Sequence, residues 1–159
     1  MADVTRRSLK FTSLDEAVRD AEHLLAVGYQ ATGKWTLAQC CFHLTQWLRF
    51  PMDGFPRGPL AVRVMLWTLR NTIARPMYRK VVAKGEMPTG GPTVPQSLTT
   101  ADAEDRPAVE ALKEMVERWK AHTGPIHPSP IFGSLTKDEA EPLQRIHMAH
   151  HLGFLVPKD

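Results

Sequence analysis

Two cysteines are all this 159-residue sequence contains, and no apolar run comes near the length of a membrane span. Cys40 and Cys41 are neighbours, and on a helix adjacent side chains diverge, so a mutual disulfide would be badly strained. A disulfide framework is thereby excluded, and a reducing compartment is expected. The longest apolar stretches, such as Val64-Met65-Leu66-Trp67, fall far short of the roughly 20 residues a spanning helix needs. The start, Met1-Ala2-Asp3-Val4-Thr5-Arg6-Arg7, has neither the apolar core nor the small-residue cleavage site of a secretory signal, so a cytoplasmic location is expected. Acidic residues are absent between Asp53 and Glu86, a stretch that holds Arg57, Arg63, Arg70, Arg75, Arg79, Lys80 and Lys84. The overall charge is only +3, however, and no aromatic residues interleave these cations in a nucleic-acid-binding pattern. The stretch reads as a solvated helix face, and no nucleic-acid partner is expected. Period-two alternation bounded by turns is missing too, as is any internal repeat, which argues against β and solenoid architectures.

What is present is ordinary globular composition, 43% hydrophobic and 23% charged, in a length that suits one domain over residues 1–159. Ser13-Leu14-Asp15-Glu16 is a capping box, and Leu14, Ala17, Val18, Ala21, Leu24 and Leu25 then recur at helical spacing until Gly28. A second box, Thr36-Leu37-Ala38-Gln39, opens a helix predicted to run to Phe50 and stop before Pro51. A long crossover follows over 51–104, carrying a helical run from about 60 to 84 that Pro76 should kink or break near Ala74 and Arg75. Gly85 and a Pro/Gly-rich segment over 88–96 complete it. The third core helix is predicted over about 105–121, with Val109, Leu112, Met115, Val116 and Trp119 facing inward and Asp102, Glu104 and Asp105 near its positive end. A third box, Thr136-Lys137-Asp138-Glu139, starts a last helix expected to reach about 155, its early part bent by Pro142. The class is all-α: four core helices with a long crossover, bearing an extra helix, between the second and third.

His147 and His151 stand four apart on the last helix, so both imidazoles share one face one turn apart. His43, in the middle of the second helix on a face with Gln39, Trp47 and Phe50, can supply a third from a facing helix. Three histidines with a position left over for water or substrate is the donor set of a catalytic-type metal site. With seven histidines, about 0.3 pairs at i,i+4 are expected by chance, so the pair alone is a weak signal, and a lone His43 also suits a satisfied core residue. Gln39, Gln144 and His150 are candidates for orienting or outer-shell contacts. His23, His122 and His127 have no helical companions at ligand spacing and are expected on the surface or in loops. Cys40, one turn before His43, could join the site as a thiolate but reads better as a small core residue. Ser134 and Asp138 form no triad with any histidine by spacing.

The run Gly33-Lys34-Trp35-Thr36-Leu37-Ala38-Gln39-Cys40-Cys41-Phe42-His43-Leu44, the run Ile131-Phe132-Gly133-Ser134-Leu135-Thr136, and then His147-Met148-Ala149-His150-His151-Leu152 resemble the DinB-like (YfiT-like) superfamily. Within it, the chain is most similar to an uncharacterised domain-of-unknown-function branch. The resemblance spans nearly the whole chain. It implies a DinB-like four-helix bundle, often dimeric, in which one histidine of the second helix and an HxxxH pair of the last hold a metal; the matching residues are His43, His147 and His151. Some members of the superfamily are thiol-dependent transferases or isomerases. Two departures stand out: Phe154 where relatives often have Gln, and Pro142 inside the last helix.

Three functions follow as expectations. The first is a metal-dependent enzyme, a transferase or hydrolase, in which a divalent ion (zinc, nickel or iron; imidazoles also accept copper) activates a water or small thiol. The second is a non-catalytic metal-binding or stress-associated module. The third is a metal-free interaction protein that dimerises, or lies on an acidic partner, through the apolar and basic helix around Val62, Leu66, Leu69 and Ile73. A homodimer is expected, because the crossover helix offers more apolar surface than a short bundle buries.

Overall fold

A computed structural model describes residues 5–90 and 93–158. Met1–Val4, part of the segment read for a leader, lie outside the described residues, as do Gly91 and Pro92 of the Pro/Gly-rich segment and Asp159. The described residues form six α-helices: α1 (Leu14–Val27), α2 (Leu37–Asp53), α3 (Leu60–Thr72), α4 (Ala74–Lys84), α5 (Asp105–Ala121) and α6 (Lys137–Leu152). With one two-stranded ribbon beside them, the fold is all-α as the periodicity predicts.

All three capping boxes start helices. Thr36 and Thr136 each accept from, and are bonded by, the residue three further on. Ser13 accepts from Glu16 N, but the Glu16 carboxylate turns to Thr12 instead, at 2.6 Å from its N–H and 2.7 Å from its hydroxyl. The core is built by α1, α2, α5 and α6. Helices α1 and α2, consecutive in sequence, barely touch, and each packs against both α5 and α6. Leu24, Leu37, Leu44, Leu48, Leu112, Trp119, Met148 and Leu152 are fully buried between them. The Asp105 carboxylate ties α5 to the start of α2, accepting from Ala38 N at 2.8 Å and from the Tyr29 hydroxyl. That hydroxyl in turn accepts from Leu37 N, so the exposed donors of the first turn of α2 are met from two directions.

The structure corrects two expectations, the ends of α2 and of α6. α2 does not stop before Pro51 but continues through it to Asp53. Pro51 has no N–H to give the Trp47 carbonyl, and the Gln144 side chain of α6 donates to that carbonyl instead, at 3.0 Å. The crossover helix breaks as expected, at Ile73 just ahead of Ala74, which places Pro76 in the first turn of α4, where no intrahelical donor is required. And α6 ends at Leu152, not near 155: Gly153 turns the chain, and Leu155–Pro157 (β2) pairs antiparallel with Tyr29–Ala31 (β1). Three-residue strands are too short to show alternation, and this pairing is held from outside. Arg7 N donates to Gly153 O and the Arg7 guanidinium to the Leu155 and Leu152 carbonyls, in a crossing so close that a Cβ on Gly153 would lie 2.8 Å from Arg7 O. Pro142 leaves α6 unbroken from Lys137 onward.

The crossover packs unevenly. α4 lies on α6 through Tyr78, whose hydroxyl donates to Glu139 O, and through the Arg75–Glu139 ion pair. α3 buries no residue at all: Leu60, Val64, Met65 and Trp67 are 57–71% exposed.

Candidate metal centre

His43, His147 and His151 come together. Their ligand atoms all lie within 4.8 Å of one another, and His147 Nε2 is 3.0 Å from both His43 Nε2 and His151 Nε2. Two helices set this arrangement. α6 supplies the pair one turn apart, and α2 presents His43, 3% exposed, from across the core. His43 Nδ1 donates to the Ser97 carbonyl at 3.3 Å, which leaves Nε2 of the neutral ring as a lone pair facing the other two histidines.

Burial holds all three rings neutral. It pushes His43 down to about 4, against the opposing effect of the Ser97 carbonyl. His147 and His151 are lowered further by burial and by the neighbouring imidazoles. Three neutral, converging ring nitrogens are acceptors in search of a positive centre, and no Asp, Glu or Cys completes the cluster among the described residues. A tetrahedral ion with bonds of about 2.0 Å requires nitrogens about 3.3 Å apart, so contacts of 3.0 Å need to open by only a few tenths of an ångström. The residues therefore fit a divalent ion with three imidazole ligands.

Two tryptophans wall the cluster. The Trp35 ring stacks on His151 at 5.0 Å and 7°, and Trp47 meets His147 edge-on at 5.6 Å and 87°. Trp47 Nε1 is buried and has no partner. Trp47, one turn after His43, is readable from spacing. Trp35 and Ser97 are not, because loops deliver them; the Ser97 segment is a short 3-10 turn, Pro95–Ser97, packed on α2.

The remaining candidates sit around this centre without bonding to its rings. Gln39 serves the capping box with its carbonyl, and its amide donates to Thr99 O at 3.3 Å, pinning the crossover to α2. Gln144 bridges α6 to the Trp47 carbonyl. His150 turns the other way: its Nδ1 accepts from Arg6 at 3.2 Å, while its ring meets that of His151 edge-on with the ring centres 5.0 Å apart. Cys40 and Cys41 are buried, with burial pushing the Cys40 thiol up to about 12. Phe154 packs against Gly33 and beneath the Arg6 guanidinium, 4.2 Å from its ring centre. His23 and His127 are exposed and His122 half-buried, all outside the cluster.

A family described as "Protein of unknown function (DUF1569)" matches residues 3–158. No curated protein and no solved structure matches the chain.

Proposed function

The chain belongs to the DUF1569 family, and we propose that it binds one divalent metal ion through His43, His147 and His151 and uses it to activate a small thiol or water. The observation that carries this reading is the convergence of three buried, neutral imidazole nitrogens with no carboxylate among them. A divalent ion held there would act as a Lewis acid, making a nucleophile available near neutral pH. The chain's own residues do the rest. Ser97 O fixes the tautomer and orientation of His43, and Trp35 and Trp47 shield the rings from bulk water. No side chain bonded to these rings could serve as a general base, which favours group transfer involving a low-molecular-weight thiol over hydrolysis. The order of the helices and the position of the three histidines support a DinB-like relation and a single domain over the whole chain.

Elemental analysis of tag-free protein tests this reading first, with one equivalent of metal expected. His43→Ala, His147→Ala and His151→Ala should each weaken affinity by orders of magnitude, and His150→Ala by no more than about 10- to 100-fold. Full metal content in His43→Ala, with loss in His23→Ala or His127→Ala, would overturn it. A thiol-transfer assay on the loaded protein then separates an enzyme from a purely structural metal module.

We further propose that α3 packs against a second copy of the chain, making the protein a homodimer. In support, Leu60, Val64 and Trp67 form an exposed i, i+4, i+7 stripe that nothing covers among the described residues.

A further inference from the structure

The outer side of α6, turned away from the histidine cluster, holds a groove. Two adjoining depressions of about 240 and 250 Å³ share Lys10, Gly85, Ile146 and Ala149, so they form one trough between the N-terminal segment, the end of α4 and α6. Its walls are of two kinds. Phe11, Val82, Pro142 and Ile146 make an apolar lining. Arg6, Lys10 and Arg145 bring positive charge, and none of the three has a carboxylate partner among the described residues. Arg7 also lines the trough but is neutralised by Asp20 at 2.7 Å, and Glu86 is the single acid in the lining.

Arg145 is the most telling of these. Its Nη1 donates to the carbonyls of Phe11 and Thr12, at 3.3 and 3.0 Å, which fixes the guanidinium in place. Its Nε is buried and donates to nothing. A buried N–H of a charged group without a partner is costly, and guanidinium groups commonly serve planar anions. Arg6 is likewise held, by the His150 carbonyl at 3.0 Å and by the Phe154 ring. Positioned cations beside an apolar trough of this size suit a molecule with a negative head and a short hydrocarbon body.

We propose that this groove binds a small amphiphilic anion, its carboxylate or phosphate head met by Arg145 and Lys10 and its apolar body lying along Val82 and Ile146. The site lies across α6 from the metal centre, with His150, whose ring centre is 5.0 Å from that of His151, at its margin. Ile146 and Ala149 project from α6 on the side opposite His147 and His151, at about 100° per residue.

Titration of the metal-loaded, full-length protein with octanoate, followed by amide chemical shifts, tests the proposal, with 1-octanol and acetate as tail-only and head-only controls. Saturable binding of octanoate is expected, at least tenfold tighter than either control, with shifts centred on Val82, Ile146 and Ala149. Lys10→Gln and Arg145→Gln should each weaken it several-fold or more without altering metal content. Lys10 is exposed and its side chain bonds to nothing among the described residues, so its variant remains informative even if Arg145→Gln disturbs the N-terminal segment. No saturation, equal binding of octanol, shifts centred elsewhere, or wild-type affinity in Lys10→Gln would each overturn the proposal.

Discussion

Gln144 stands in for a backbone donor that Pro51 lacks, and this makes a sharp test of how α2 and α6 are held in register. The Trp47 carbonyl would ordinarily accept from residue 51; here it accepts from Gln144 Nε2 at 3.0 Å. Trp47 lies one turn beyond His43, and Gln144 three residues before His147, so the bridge spans the two helices that carry the metal ligands. Gln144→Leu keeps the volume but strands the carbonyl, which should cost about 1–3 kcal/mol of stability. In a Pro51→Ala background the backbone N–H returns, the carbonyl is satisfied within α2, and the same substitution should cost well under about 1 kcal/mol. Urea unfolding of the wild type, both single variants and the double variant gives the coupling directly, with at least about 1 kcal/mol expected. A competition titration for metal should show Gln144→Leu binding about tenfold more weakly and the double variant largely restored. Strict additivity of the two substitutions would refute the reasoning, because it would mean that the Gln144 amide does not replace the missing donor.

Metal-free protein should lose stability between pH 7.5 and 5, above the range in which carboxylates titrate. His43 binds a proton near 6.5 when unfolded but only near 4 when folded, so the unfolded state gains protons first, and His43 alone should contribute about 2 kcal/mol to the loss. Chelator-treated His43→Ala should show a shallower slope in the same unfolding series, and an unchanged slope would count against the burial argument. Cys40→Ala should lower stability slightly and leave metal content untouched, since the thiol lies in the core; loss of metal would give Cys40 a ligand's role. Trp67→Glu with Val64→Glu should convert a dimer to monomer in light scattering, while wild-type protein that is monomeric at micromolar concentration would rule out the α3 interface.

Legibility in the sequence followed the range of each interaction. Ser13, Thr36 and Thr136 start helices through bonds to residues three away, and Gly28 and Gly85 end them through their own backbone angles, +78° and +67°, so both kinds of signal are visible locally. The HxxxH pair was readable for the same reason: one turn of helix brings His147 and His151 together whatever the rest of the chain does. The passage of α2 through Pro51 was not, because what makes it tolerable is a glutamine on another helix. Nor was the end of α6, where Arg7 and β1 together draw the chain into a strand. Ser97 and Trp35 reach the histidines only because the crossover and the loop before α2 fold over them, and no periodicity marks loop residues. α3 inverts the usual lesson: its apolar pattern correctly predicts a helix, yet pattern alone cannot say that none of its residues is buried among the described residues.

The donor set constrains the proposed chemistry further than the count of ligands does. Three neutral imidazoles bring no negative charge, and among the described residues no carboxylate joins the cluster: Asp105 is engaged at the N-terminus of α2 and Asp53 is paired with Arg49 and Arg118 at its other end. The charge of a divalent ion in this site would therefore be left unneutralised, which favours an anionic co-ligand such as a thiolate over a neutral one. The protein does not offer that thiolate itself. Cys40 is the nearer thiol, its Sγ 3.9 Å from the His151 carbonyl, but burial and the Asp105 charge push it up to about 12 and keep it protonated. Cys41, adjacent and also buried, is raised by burial and by the neighbouring Cys40 and Asp105. A thiol that reacts at this centre would then arrive from outside, and the path we propose for it runs past Trp35, the half-buried ring stacked on His151. Trp35→Ala should open that path. A fall in KM for a small thiol with metal content unchanged would bear the argument out, and an unchanged KM would place the entrance elsewhere.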